Sequence, residues 1–332
     1  MENKQVILTA KGDYTKYQVN TTEIEAPKKG EVQIKVLASG FAWADVMMRF
    51  GMYPAMPKFP FVQGYDIVGE VIGVGEGISE YYQGKRVVAF LQWGGQCQYI
   101  NLPPERLIEI PSSLDPYQVE CLPLNYITAY QVLTRAAKVK ENDTILVHGA
   151  AGGVGTAILQ LARVMKIKVY GTASTAKQDI IRENGGFAID YKTEDFAKII
   201  KQKELNGIDA VFDIGGKGTY NNSAPLLKKK GAHILYGLID ISNKMAFLVH
   251  IVKLNFKNIF TSQTGKFYSV KGLYDKSFDE YKSDLLYLVK LLENKEINPV
   301  IAKVISLDEV SNAHKEFEAH KFVGKVIVDP WK

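Results

Sequence analysis

Up to about Pro123, apolar residues come in short alternating runs broken by glycine and proline, as in "EVQIKVLASG", "DIVGEVIGVG", "KRVVAFL" and "CQYINLP". Successive strand side chains point to opposite faces, so this texture predicts β-strands and turns in a compact barrel-like or sandwich-like domain. From Asp143 the pattern changes. Apolar runs now alternate with helical stretches: "TILVHGA", a helix from about Val154, "KVYGTA", a helix ending at Gly185-Gly186, then "AIDY", "IDAVFDIGG" and "AHILYGL". Such alternation predicts an α/β domain with a doubly wound parallel sheet. After Thr264, "DEYKSDLLYLVKLLENKEI" repeats Tyr281, Leu285, Leu288 and Leu292 at helical spacing, followed by "VIAKVIS", another helix and "GKVIV". This tail is too short for a domain and is expected to pack back on the first segment. The division read from the pattern is 1–124, 125–264 and a returning 265–332, with no internal repeat, linker or low-complexity tract.

Composition adds limits. With 332 residues, 46% of them hydrophobic, the chain can bury a sizeable core in two domains. Met1 to Ala10 carries no basic flank leading into an apolar core, and no apolar run approaches the roughly 20 residues that span a bilayer. A cytoplasmic protein with no integral membrane segment is the expectation. Two cysteines, Cys97 and Cys121, make no CxxC pair and suit a reducing compartment as plain thiols. The net charge of +5 is mild. Its densest run, Lys228-Lys229-Lys230 before Gly231, reads as a solvated helix C-terminus, and no nucleic-acid motif accompanies it.

The candidate chemistry starts at "VHGAAGGVG", residues 147–155. A glycine-rich turn after a strand and before a helix leaves backbone N–H groups at the positive end of the helix dipole, where a pyrophosphate can be held. Ala150, Gly152 and Gly155 occupy the three fingerprint positions, with Gly153 added. Missing side chains at Gly152 and Gly153 let a ligand approach the backbone beside Val154, and Gly155 lets the helix pack closely. Val154, Ile158, Leu161 and Met165 form the expected buried stripe of that helix.

A site for NAD presents an acid to the ribose about 20 residues past the glycines. Here Thr172-Ala173-Ser174 stand there, Lys177 follows, and no acid appears before Asp179. A hydroxyl, a small residue and a lysine accept a 2′-phosphate that a carboxylate would repel, so NADPH is expected over NADH. Lys177 also reads as a solvated lysine at a helix start.

These motifs, with "LPLNYITAYQVL", "LVHGAAGGVGTAILQLAR", "GTASTAKQD", "ENGGFAIDYKTEDF" and the terminal "GKVIV", together resemble the medium-chain dehydrogenase/reductase superfamily over essentially the whole chain. The likeness is greatest to its zinc-free quinone oxidoreductase branch, around the vesicle amine transport protein homologue subgroup. The resemblance implies a GroES-like β-rich catalytic domain and a Rossmann NADPH-binding domain. It assigns cofactor contact to Ser174, Lys177 and Tyr191, puts Thr128 and Gly237 at the nicotinamide end, and sets Lys325 near the closing cleft. Tyr191 also reads as a strand-end aromatic and Gly237 as a turn glycine. Relatives pair through the edge of the dinucleotide-binding sheet, so a homodimer through the strand near "NIFTSQ" is expected.

Zinc-dependent relatives place a cysteine three residues before an Asp, and later a His-Glu pair. Here those positions read Ala42, ahead of Asp45, and Tyr65-Asp66. No metal is expected. None of the five histidines, His148, His233, His250, His314 and His320, pairs with a cysteine or acid at metal-ligand spacing. His148 is read as ending a core strand, and His314 and His320 as surface helix residues. Without a metal, quinones and α,β-unsaturated carbonyls are the acceptors that need least electrophilic help, because they spread incoming charge over a conjugated system. Tyr53 in "RFGMYP" matches a family tyrosine and is the candidate donor; it also reads as a packing aromatic beside Pro54. The branch's usual asparagine and second tyrosine are replaced by Ala42 and Met47. A hydrophobic acceptor is expected in an apolar pocket bordered by Trp43, Met47, Met52 and Tyr53, a wall that reads equally as ordinary core. A second reading stays open: a protein that binds NADPH with little turnover, as an adaptor or lipid handler.

Overall fold

The computed structural model describes residues 1–216, 218–237, 252, 254 and 262–332. His250, and residues 258–261 of the "NIFTSQ" segment, lie outside the described residues. The chain forms two compact units. One comprises Met1–Leu124, Leu285–Glu293 and Ile301–Lys332; the other comprises Asn125–Asp284 and Asn294–Val300. The break after Leu124 coincides with the change of texture in the sequence. The tail divides: Thr264–Asp284 stays with the second unit, and most of the rest returns to the first.

In the first unit the alternating runs become strands β1 (Glu2–Leu8), β2 (Tyr17–Glu23), β3 (Val32–Phe41), β4 (Phe61–Val62), β5 (Asp66–Val74), β6 (Arg86–Phe90), β7 (Tyr99–Leu102) and β8 (Ile108–Glu109). A small sheet runs β2-β1-β4. The larger sheet is completed by two strands from the tail, β15 (Ile301–Ile305) and β16 (Lys325–Val328), in the order β15-β16-β3-β5-β6-β8, with β7 also on β3. The return is a strand pairing, with Ile327 opposite Gly40 and Val328 opposite Ser39. Alternation puts Val32, Ile34 and Val36 of β3 into one core with Ile67, Val71 and Val87.

The second unit holds a six-stranded parallel sheet of β9 (Thr144–His148), β10 (Lys168–Ala173), β11 (Phe187–Asp190), β12 (Ile208–Asp213), β13 (Leu227–Leu235) and β14 (Thr264–Phe267), ordered β11-β10-β9-β12-β13-β14. This is the doubly wound order, and its direction reverses between β9 and β12. The helix Gly153–Val164 is buried on nearly all sides from Gly155 to Ala162, rather than along one stripe; Val154 and Met165 are only half-buried. Its buried Gln160 is satisfied by Tyr126 Oη at 2.7 Å, the Asn298 N–H at 2.8 Å and the Asn298 carbonyl at 2.7 Å. Tyr281, Leu285, Leu288 and Leu292 are buried as the helical spacing predicts.

Two expectations fail. Lys228-Lys229-Lys230 lies in β13, not at a helix end, and Lys228 reaches Asp209 at 2.8 Å. His314 is not a surface residue: it is fully buried, stacked on Tyr17 at 4.4 Å and tilted against Phe41 at 4.4 Å. Its helix turns that face inward, and burial, then the nearby Arg49 charge, hold the imidazole well below its usual range. His320, after the same helix, is exposed.

Candidate functional site

The glycine turn follows β9 directly, and Gly152 caps the helix that opens at Gly153. Gly155 is fixed by close approach. A Cβ there would stand 2.3 Å from the Gly149 carbonyl oxygen and 2.7 Å from Ala150 backbone atoms, so the helix start packs directly on the turn. Gly152 is exposed, and a Cβ on it would meet only the Gly149 oxygen at 3.4 Å. The turn is therefore tight against itself and open outward, as an anion cradle requires. Gly149 has φ +67° and belongs to the same turn; its place just before the fingerprint was the signal that motif reading passed over.

Polar side chains gather where the strand order reverses. His148, the last residue of β9, meets the Thr172 hydroxyl through Nδ1 at 3.1 Å and the Ser223 hydroxyl through Nε2 at 2.8 Å. Burial lowers its pKa to about 4, so the ring is neutral near pH 7. Asp213, the last residue of β12, accepts from the Gly215 N–H at 2.8 Å, the Thr219 hydroxyl at 2.9 Å and His233 Nε2 at 3.1 Å. Burial alone would raise its pKa; the His233 hydrogen bond and the neighbouring imidazoles outweigh it and hold the carboxyl at about 2. Ser174 follows β10, with its carbonyl accepting from the Lys177 N–H at 2.9 Å. Burial lowers the pKa of the half-buried Lys177 amine. An acid that linear spacing did not reveal, Asp190 at the end of β11, bonds the Thr175 hydroxyl and the Lys192 N–H, and these hold its carboxyl below the usual range. Tyr191 is 56% exposed, its N–H on the Ala173 carbonyl at 3.2 Å. Thr128 is buried in the helix Ile127–Gln131, and Gly237 packs against Ile214.

The remaining candidates belong to the first unit. Ala42 precedes the helix Trp43–Arg49, and Asp45 turns back to accept from the Ala42 N–H at 2.8 Å. Burial raises the Asp45 carboxyl to about 7. Met47 and Met52 are half-buried, and Trp43 packs 5.7 Å from Phe317 and 6.2 Å from His320. The hydroxyls of Tyr53 and Tyr65 are hydrogen-bonded to each other. Asp66 lies beside Glu120 and Lys325, whose ammonium reaches Glu120 Oε1 at 3.0 Å, the Glu120 carbonyl at 3.2 Å and Asp66 Oδ2 at 3.4 Å. All three are buried. A Cβ on Gly40 would stand 1.8 Å from Asp66 Oδ1, so the acid sits over a bare backbone. Burial, then Asp66, push the Glu120 carboxyl well above its usual range. Burial works against the Lys325 charge, but the two acids more than offset it. Glu120 went unremarked in the sequence, although an acid inside the apolar "VECLPL" is a signal of a buried partner.

Residues 28–112 match the alcohol dehydrogenase GroES-like domain, and residues 186–328 match the zinc-binding dehydrogenase domain. The human synaptic vesicle membrane protein VAT-1 homolog is 31% identical over 98% of this chain and 86% of its own length. A quinone oxidoreductase of Lama guanicoe is 30% identical, covering 92% of this chain and 90% of its own. The chain belongs to the medium-chain dehydrogenase/reductase superfamily, in its zinc-free quinone oxidoreductase branch. It thus belongs to a family of oxidoreductases. The fold also matches a solved Escherichia coli quinone oxidoreductase complexed with NADPH, at TM-score 0.87 and 23% identity over 98% of this chain and all of that one. Among the described residues, no group of three or more His, Cys, Asp or Glu could hold a metal, and no helix is long and apolar enough to cross a membrane.

Proposed function

We propose that this chain is a zinc-independent, NADPH-dependent reductase of quinones and α,β-unsaturated carbonyls. The observation that carries the reading is the phenol pair. Where zinc-dependent relatives keep a histidine ligand this chain has Tyr65, and its hydroxyl meets that of Tyr53. The donor set beside it is two phenols and buried, internally paired acids, which suits hydrogen bonding to an oxyanion better than metal ligation.

The second unit's residues fit the cofactor. Gly153 and Val154 place backbone N–H groups at a helix start, beside the exposed Gly152. Ser174 and Lys177 would take the 2′-phosphate; an ammonium already disfavoured by burial gains from a phosphate beside it. Tyr191, Thr128 and Gly237 would line the remainder. When bound, NADPH supplies the hydride. Tyr53 then serves as the donor to the oxygen on which charge develops, and Trp43, Met47 and Met52 offer a flat acceptor an apolar wall that excludes water. A homodimer through the edge of the dinucleotide-binding sheet, at the strand near "NIFTSQ", also belongs to this reading.

The test is NADPH oxidation against a panel of quinones, enals and enones. Turnover with conjugated acceptors is expected, and Tyr53→Phe should lower kcat by roughly tenfold to a thousandfold while NADPH affinity stays unchanged. Tight NADPH binding without oxidation by any acceptor would replace the reading with that of a cofactor-binding adaptor or lipid handler.

A further inference from the structure

Tyr65 is 3% exposed, whereas Tyr53 is only half-buried, in the loop after the helix Trp43–Arg49. The Tyr65 carbonyl accepts from the Leu91 N–H at 2.9 Å and the Gln92 N–H at 2.8 Å, and Asp66 directly after it opens β5. Its ring edge meets Phe90 at 5.0 Å and 76°, and Tyr53 at 6.0 Å and 83°. One phenol is thus fixed to the sheet on both backbone and ring, while the other rides on a loop and touches the first through its hydroxyl.

A phenol has one proton to donate and accepts with the same oxygen. If Tyr53 gives its hydrogen to a substrate oxygen, its own oxygen must be the acceptor in the Tyr53–Tyr65 bond. Tyr65 is suited to the donor role. Burial, then the Tyr53 hydroxyl, and then the Asp66 and Asp45 carboxylates raise its pKa well above the usual value, so it keeps its proton across the working range. We infer that Tyr65 is a positioning residue for the reduction: its hydroxyl donates to Tyr53 and so aims the Tyr53 O–H at the oxygen of the conjugated acceptor. This rests on the reductase reading of Tyr53. The histidine-to-tyrosine change at position 65 then replaces one means of polarising an oxygen, a metal, with another, a directed pair of hydroxyls.

Tyr65→Phe keeps both ring contacts and removes only the donor. It should lower kcat about tenfold with little change in the acceptor KM, consistent with one lost donor acting through another group. It should also move the alkaline limb of kcat to higher pH, because the phenolate of Tyr53 loses a hydrogen bond that favours it. In the Tyr53→Phe background Tyr65→Phe should cost nothing further. A readout independent of turnover is the Tyr53 ring-carbon resonance in tyrosine-labelled protein, assigned by its loss in Tyr53→Phe. Its titration midpoint should rise in Tyr65→Phe. An unchanged midpoint, or an equal loss of kcat from Tyr65→Phe with and without Tyr53, overturns the inference and leaves the reductase reading standing. If Tyr53→Phe itself leaves kcat untouched, the donor role of Tyr53 falls and the role of Tyr65 falls with it.

Discussion

The glycine turn of the second unit and the acid–tyrosine cluster of the first are built by different means. The turn is made of backbone positioned by local conformation, and its tightest steric demand, Gly155 against Gly149, joins residues six positions apart. In the cluster, the Lys325 ammonium meets Asp66 and Glu120 across 259 and 205 positions. Tyr53 and Tyr65 come from a loop and a strand start. A site made of backbone can be read as a short pattern; a site made of buried side chains exists only once distant segments pair. The two also differ in energetics. The turn lies open at the exposed Gly152, whereas the cluster holds desolvated ionisable groups whose compensation comes from their neighbours.

The largest expected effect tests the cluster. Lys325→Met leaves Asp66 and Glu120 buried with no cation, and should cost about 3–5 kcal/mol in denaturant unfolding at pH 7. Adding Glu120→Gln and Asp66→Asn should recover much of that; a single variant as stable as the parent would mean that the acids are already uncharged. Next comes the turn. Gly155→Ala pushes a methyl to 2.3 Å from a backbone oxygen, and should cost about 1–3 kcal/mol and sharply weaken NADPH binding by calorimetry. Undiminished affinity would show that the turn tolerates being opened.

The third effect is one of pH. The folded Asp45 carboxyl lies at about 7, above the roughly 3.9 of an unfolded aspartate. Its contribution to stability is therefore present below about pH 4 and is lost as pH rises towards 7. Asp45→Asn should remove that loss, so its stability relative to the parent should climb by up to about 1.4 kcal/mol per pH unit between about 4 and 7. A flat difference across that window would mean that the folded carboxyl titrates normally. The smallest effect returns to the cofactor side: Lys177→Ala should narrow the preference for NADPH over NADH by about tenfold, or about 1.4 kcal/mol. Equal affinities in the parent would remove the selectivity argument altogether.

Some elements were legible for identifiable reasons. The β-rich texture, the parallel sheet and the tight glycine turn between β9 and its helix each follow from a period or a turn carried by contiguous residues. The misreadings follow from missing tertiary context. Lys228-Lys229-Lys230 looked like a helix end because lysines suit one, yet β13 forms there, and Lys228 finds Asp209. His314 carries an imidazole that is polar by type, but its place between Tyr17 and Phe41 made it core. Asp190 escaped the search for an acid near Ser174 because it arrives from the neighbouring strand, not from further along the same one.

The sequence by itself determined the two textures, the doubly wound domain, the tight glycine turn and the absence of the metal-ligand pattern at Ala42 and Tyr65. Each of these is set by residue type at short range, through side-chain periodicity and backbone freedom. Only the tertiary structure decided that Tyr65 faces Tyr53, that Lys325 reaches Asp66 and Glu120, and that His148 is buried and neutral between Thr172 and Ser223. Desolvation and hydrogen-bond partnership depend on what other segments bring within about 3 Å, and spacing along the chain does not specify them.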